Sequence, residues 1–230
     1  KGAIRTAILY HHIHGEGIRP RGNSPYIGQD VFGSFSDDHF KYLSISDTNL
    51  IDGSNIEVTK TVRYNLVKKR EDMPVILEAI KPGSNFSFSI DLKGNFDSRF
   101  DYFNPDGMKK ILSMLNEFYL RGIEREIREL ERNRTPDIYP IINIYHELRQ
   151  DVLKMKQENN GAIIRIGAGK TFFENTIGIA LANNDLKSMI ARYNRRNEAK
   201  RDIENFPKTR TFELDGDRYS RVLGWIKIDL

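Results

Sequence analysis

The chain opens on a helical pattern of apolar positions. In Lys1-Gly-Ala-Ile-Arg-Thr-Ala-Ile-Leu-Tyr-His-His, Ile4, Ala7 and Ile8 fall on one helical face, with no cap or entry strand before them. The pattern predicts a chain that starts inside an element, either a fragment or one whose earlier part is carried elsewhere. A loop rich in Gly, Pro and Arg follows from Gly15 to Gly28, with Arg19 and Arg21 as exposed candidates. Alternation then takes over. Phe40 to Thr48, "FKYLSISDT", reads as a strand ending at Asp47. Three more strands are predicted over Asn55 to Val67, Met73 to Ile80 and Asn85 to Leu92, with Pro82-Gly83 turning the last pair. After Asn104-Pro105 the period becomes helical, first from Asp106 to about Asn133 and then, restarted by Pro136, to about Glu158. Ala162 to Ile166 is a short apolar strand, Phe172 to Leu181 a helix, and Asp185 to Ile203 a second, basic helix. "TRTFEL" and "RVLGWIKIDL" close the chain as strands around an Asp215-Gly216 turn.

Composition narrows the class. At 230 residues and 39% hydrophobic content, the chain is long enough for one large domain or two small ones with a buried core. No run approaches the roughly 18 to 20 apolar residues that cross a bilayer, and no secretory pattern opens the chain, so a soluble, cytoplasmic protein without membrane contact is expected. Cysteine is absent, which excludes disulfides and thiolate metal ligands or nucleophiles. Lys plus Arg number 36 against 32 Asp plus Glu, a net charge of +4 that mildly favours an anionic partner such as nucleic acid. The excess is concentrated between Asp185 and Arg210, which holds Lys187, Arg192, Arg195, Arg196, Lys200, Arg201, Lys208 and Arg210.

The densest candidate chemistry is Asn160 to Phe173, "NGAIIRIGAGKTFF", whose end spells the end of a nucleotide-binding P-loop. A P-loop needs its first glycine where Ile164 stands, and a β-branched residue resists the conformations glycine permits there. Two other readings stay open. Gly167 and Gly169 can simply allow a tight turn, or the backbone amides with Arg165, Lys170 and the ring of Phe172 can grip and stack on single-stranded nucleic acid. His11, His12 and His14 lack a carboxylate at metal spacing and read as an exposed helix end. Asp37, Asp38, Asp47, Asp97, Asp101 and Asp106 fall where turns and caps favour aspartate. No serine has a nucleophile setting. Tyr10, Phe173 and Trp225 read as core.

Four blocks together resemble the RAMP proteins, RNA-binding subunits of CRISPR effector complexes. "KGAIRTAIL" is similar to the helix that follows the family's "G-S-S-[IL]" turn, and "DVFGSFSDDHFKYLSISDT" to the "FG…L-x-[VF]-[ST]-D" block of Csm backbone subunits. "NGAIIRIGAGKTFFENTIG" resembles the family's late glycine-rich segment, and "FPKTRTFELDGDRYSRVLGWIKIDL" its "P-K-T-R…G-W-[VI]-[KR]-[LI]" ending. The combination is most like the fifth Csm subunit, which caps the backbone filament of type III-A complexes at the 3′ part of the crRNA. The resemblance implies an α+β fold with a ferredoxin-like (RRM-like) RAMP core over 1–104 and 161–230, interrupted by a helical insertion over 105–160. It implies RNA contacts from Lys1 and Arg5 and, in the loop, from Arg165, Gly167, Gly169, Lys170 and Thr171; the stacking ring of Phe172 comes from the loop chemistry alone. Lys208 and Arg210 would face RNA or a neighbouring subunit. The implied partners are crRNA and neighbouring Csm backbone subunits, with target RNA and a host nuclease left open; the implied role is non-catalytic, without metal or cofactor. A RAMP-type endoribonuclease is the alternative, and a P-loop-like NTPase a second.

Overall fold

The computed structural model describes residues 1–15, 17, 28–92, 107–193 and 206–230. Arg19, Arg21, Asp97, Asp101, Asp106 and the second half of the expected basic helix lie outside them. In chain order the elements are α1 (Gly2–Gly15), the one-turn α2 (Gln29–Phe32), β1 (Leu43–Ile45), β2 (Ile56–Asn65), β3 (Arg70–Glu71), β4 (Val75–Ile80) and β5 (Ile90–Leu92). Two long helices follow, α3 (Gly107–Arg132) and α4 (Tyr139–Glu158), then β6 (Gly161–Arg165), α5 (Phe172–Asn175), α6 (Asn183–Tyr193), β7 (Thr209–Asp215), β8 (Arg218–Arg221) and β9 (Trp225–Asp229).

Helix α3 is the spine. Its apolar residues recur at helical spacing along its whole length, so one face stays buried through all its turns. The first half, through Ile111, Leu115 and Phe118, packs with Ile4, Ala7 and Ile8 of α1 and with Phe32, Phe40 and Leu43. The second half, through Ile123, Ile127 and Leu130, packs with Ile141 and Tyr145 of α4 and with Val62, Tyr64 and Phe212 of the sheet. Strand β6 runs between these two cores, and its period of two serves both: Ala162 and Ile164 enter the first, Ile163 the second.

The α+β class stands. The described strands pair antiparallel in three separate sheets, β1–β5, β6–β9, and β3–β2–β7–β8 with β4 also on β2, rather than in the one four-stranded sheet of a ferredoxin-like core. Pro82-Gly83 does not join β4 to β5 as a hairpin, as the sequence suggested. Strand β4 pairs with β2 from Ile56↔Ile80 to Thr61↔Val75, and β5 pairs with β1. The intervening backbone continues the same ladder, Ser46 N–H to Ser89 O at 3.0 Å and Lys81 N–H to Asn55 O at 2.9 Å, so 43–92 is one long ribbon folded on itself.

Two local expectations fail for local reasons. The strand expected from Phe40 begins only at Leu43, because the Asp38 carboxylate accepts Phe40 N–H at 2.8 Å and winds His39–Tyr42 into a 3-10 turn. The helix expected over Phe172 to Leu181 ends at Asn175. There the Thr176 hydroxyl donates to Phe172 O at 2.9 Å and accepts from Gly178 N–H at 3.1 Å, starting the separate 3-10 turn Ile177–Ala180. Among the described residues no helix is long and apolar enough to cross a membrane.

Candidate nucleic-acid interface

The glycine-rich loop hangs from β6, which pairs with one strand among the described residues. Strand β9 pairs with one edge, from Gly161↔Asp229 to Arg165↔Trp225. The other edge faces α3, whose side chains satisfy it: Asn116 donates to Gly161 O at 2.9 Å and accepts Ile163 N–H at 3.2 Å, and Tyr119 Oη donates to Arg165 O at 3.1 Å. Without them, buried backbone groups would stand unpaired, at roughly 1 to 3 kcal/mol each. Burial pushes the Tyr119 hydroxyl up to about 12.

Arg165 shares the face of β6 that carries Ile163, and alternation therefore turns it into the second core. It is 1% exposed. Its Nε donates to Leu223 O at 2.9 Å, and its Nη1 to Tyr145 Oη at 3.0 Å and to Glu174 Oε1 at 2.6 Å. Burial by itself would lower its pKa, but Tyr145 and Glu174 outweigh that and hold the guanidinium charged. The other oxygen of Glu174 accepts Thr171 N–H at 2.6 Å. One buried carboxylate thus grips both ends of the loop, Arg165 before it and Thr171 after it. From outside the loop, Gly224 supports it: Ile166 N–H bonds Gly224 O at 2.8 Å, and a Cβ on Gly224 would stand 2.1 Å from Ile166 O at a φ of 88°.

What this strut leaves at the surface is Ile166, Gly167 and Ala168, with Gly169 and Lys170 partly exposed. Gly167 has a φ of 72° and open space where a Cβ would be, so its backbone is accessible to a ligand. Lys170 joins no ion pair among the described residues. The geometry also argues against a nucleoside triphosphate cradle. Ile164 is a buried strand residue paired with Ile226, the Thr171 amide is occupied by Glu174, and α5 is a single turn with little dipole to offer.

Arg210 is a second buried cation. It lies opposite Tyr64 on β7, so it points at α3, where its Nε and Nη2 (3.0 Å) hold both oxygens of Glu126; Nη1 caps Pro207 O at 2.6 Å and Thr209 O at 3.0 Å. Burial would lower its pKa, but Glu126 reverses this, and Arg210 stays charged. For Arg165 and Arg210 the expected RNA contact is therefore corrected: both guanidiniums are in the core, where a buried cation requires a carboxylate partner.

The other expected contacts are dispersed. Arg5 bridges to Asp38 at 2.7 Å and lies 4.1 Å over the Phe32 ring, tying α1 to the segment that follows α2, while Lys1 is exposed, 5.9 Å from the Phe40 ring. Phe172 packs 5.0 Å from Phe206 and 5.3 Å from Phe173 in a small cluster with Leu186 and Ile190, a packing role in place of a free stacking platform. Lys208 is partly exposed just before β7, its carbonyl holding Leu66 N–H at 2.9 Å. The histidines find ordinary partners: His11 with Glu117 at 3.0 Å and His146 with Glu131 at 3.3 Å. Sequence reasoning missed Glu174, Glu126, Asn116 and Tyr145. A signal for the first existed, since Thr171-x-x-Glu174 has the spacing of a capping box.

No protein-family model matches the chain, and no curated protein matches it in sequence. Among solved structures, the whole chain matches 70% of a chain in the cryo-EM structure of a Csm–crRNA–target RNA ternary complex of a type III-A CRISPR-Cas system, with a TM-score of 0.65 and 18% identity. The likeness is one of fold.

Proposed function

We propose that this chain is a component of a type III-A CRISPR (Csm) effector complex in which the loop from Ile166 to Lys170 grips an RNA backbone. The observation that carries the reading is the construction of the loop: Glu174 fixes it from beneath at both ends, and Gly167 and Lys170 remain available above. A preorganised run of backbone amides beside a lysine with no ion-pair partner among the described residues suits phosphates and reads no base. The four sequence blocks support the same reading, as does the fold shared with a chain of a complex that contains crRNA and target RNA.

More finely, the chain would be a non-catalytic, cytoplasmic crRNA-binding subunit that caps the filament next to other Csm backbone subunits. Its RNA contacts would be the loop backbone and Lys170, with Lys1 and Lys208 as outlying cations. Arg165 and Arg210 would act beneath the surface as supports. The test is to purify the chain with its partners and sequence the bound RNA. A small RNA carrying repeat-derived sequence is expected; its absence would remove the proposal.

A further inference from the structure

The sheet beside the loop carries a charge asymmetry whose basic end lies outside the four sequence blocks. Along β2, Val62 and Tyr64 face the second core, so Arg63 and Asn65 face away from it. Register puts Thr211 opposite Arg63 on one side, and Thr209 and Arg70 opposite Asn65 on its two sides. The turn that follows is firmly built. Leu66 is buried at 3% exposure, Asn65 Oδ1 accepts both Val67 N–H (3.1 Å) and Lys68 N–H (2.9 Å), and Lys69 takes a φ of 49°. Lys68, Lys69 and Arg70 thereby stand exposed in succession on a fixed turn.

None of Arg63, Lys68, Lys69 and Arg70 makes an ion pair among the described residues. The adjacent acids do not neutralise them: Glu71 accepts the Tyr219 hydroxyl and Asp72 pairs with none of the four. The other end of the same face is compensated. Arg221 is held between Glu57 at 3.0 Å and Glu213, and Thr59 Oγ1 donates to Glu213 at 2.6 Å. The uncompensated end is also the one that meets the glycine-rich loop, because a Cβ on Gly169 would stand 3.9 Å from Thr211 Cβ. From Lys170 the surface passes over Thr211 to Arg63, then to Arg70 and the turn. It crosses β7, β2 and β3, about 10 Å at the usual strand spacing, enough for more than one phosphate.

We propose that this basic face of β7–β2–β3, ending at the Lys68–Arg70 turn, is a second binding surface for the sugar-phosphate backbone of single-stranded RNA, continuous with the loop. The inference rests on the RNA-binding reading of that loop. Uncompensated cations on rigid backbone release counterions on meeting phosphates without selecting a base sequence.

The test uses the full chain and two unrelated single-stranded RNA oligonucleotides, with affinity followed by fluorescence anisotropy over a salt series. The variants are the combined R63A/K68A/K69A/R70A, K170A, and K154A on α4 as a control. The combined variant should bind both RNAs roughly tenfold or more weakly at low salt, with a salt slope shallower by about 3, at roughly 0.7 per lost phosphate contact. K154A should be unchanged. If the combined variant keeps its affinity and slope while K170A weakens binding, RNA stops at the loop and this inference falls, leaving the loop reading intact. If the wild-type chain binds neither RNA, the underlying reading falls with it. Should the combined variant misfold, Lys68→Glu alone, at an exposed turn position, must still weaken binding of both RNAs.

Discussion

Arg165 and Arg63 are the same residue type: each lies on a β-strand near the glycine-rich loop, and a guanidinium at either position has the chemistry to meet an anion. They differ in which side of the strand they occupy. Arg165 shares a face with Ile163 and is buried with its own carboxylate, whereas Arg63 alternates with Val62 and Tyr64 and is exposed with no carboxylate partner among the described residues. A guanidinium in the core has its anion already, and removing that anion is costly because the charge cannot be hydrated. A guanidinium outside costs the fold almost nothing and is available to a ligand. The inner set therefore shapes the loop, and the outer set offers the charge.

The largest expected effect lies on the inner side. Glu174→Ala strands the Arg165 charge and frees the Thr171 amide, and should lower unfolding stability by about 3–5 kcal/mol in a urea titration. The sharper form is a cycle: Arg165→Met with Glu174→Leu removes both charges and should recover most of that loss. If the double variant is as unstable as the single one, the pair is not what holds the loop. Arg210→Lys is next. A lysine cannot reproduce the two-pronged hold on Glu126 together with the bonds to Pro207 O and Thr209 O, so a loss of about 2–3 kcal/mol is expected by the same titration.

Alkaline pH probes the inner side without a mutation. The folded Tyr119 hydroxyl titrates at about 12, above its ordinary value of 10, so the folded chain holds that proton more tightly than the unfolded one. The associated stability is fully present below pH 10 and is lost as pH rises from 10 to 12, by about 2 kcal/mol. Stability measured across that range should fall, and Tyr119→Phe should flatten the fall. Smallest in stability is Lys170→Ala, which should shift unfolding by less than about 0.5 kcal/mol. Its effect should appear in RNA affinity instead, as a salt slope shallower by about 0.7 to 1. A large stability loss with unchanged RNA affinity would put Lys170 on the wrong side of the comparison.

Where periodicity was strong, the sequence was a good guide. The faces of α1 and the positions of α3, α4 and β6 followed from apolar spacing, and the Asp215-Gly216 turn from its residue types. Strand partners did not follow, because pairing is a long-range choice: Pro82-Gly83 looks like a hairpin turn, yet β4 belongs to β2 and β5 to β1. Helix α5 stopped short because a single Thr176 hydroxyl rewired its last turn. For the site, the loop's place and its candidate residues Gly167 and Lys170 were legible. The inward turn of Arg165 was implicit in the alternation with Ile163, but its partner Glu174 lies on the far side of the loop, and Glu126 pairs with Arg210 across 84 positions of sequence.

The central claim is that RNA meets the outer cations and not the inner ones, and lysine reactivity reads this directly. The full chain is acylated with and without single-stranded RNA, and the modification of each lysine is followed by mass spectrometry. Lys170, Lys68 and Lys69 should lose reactivity when RNA is present, while Lys154 on α4 and Lys227 on β9, both exposed, keep theirs. Unchanged reactivity at Lys170, with protection only at Lys154 or Lys227, would contradict the account.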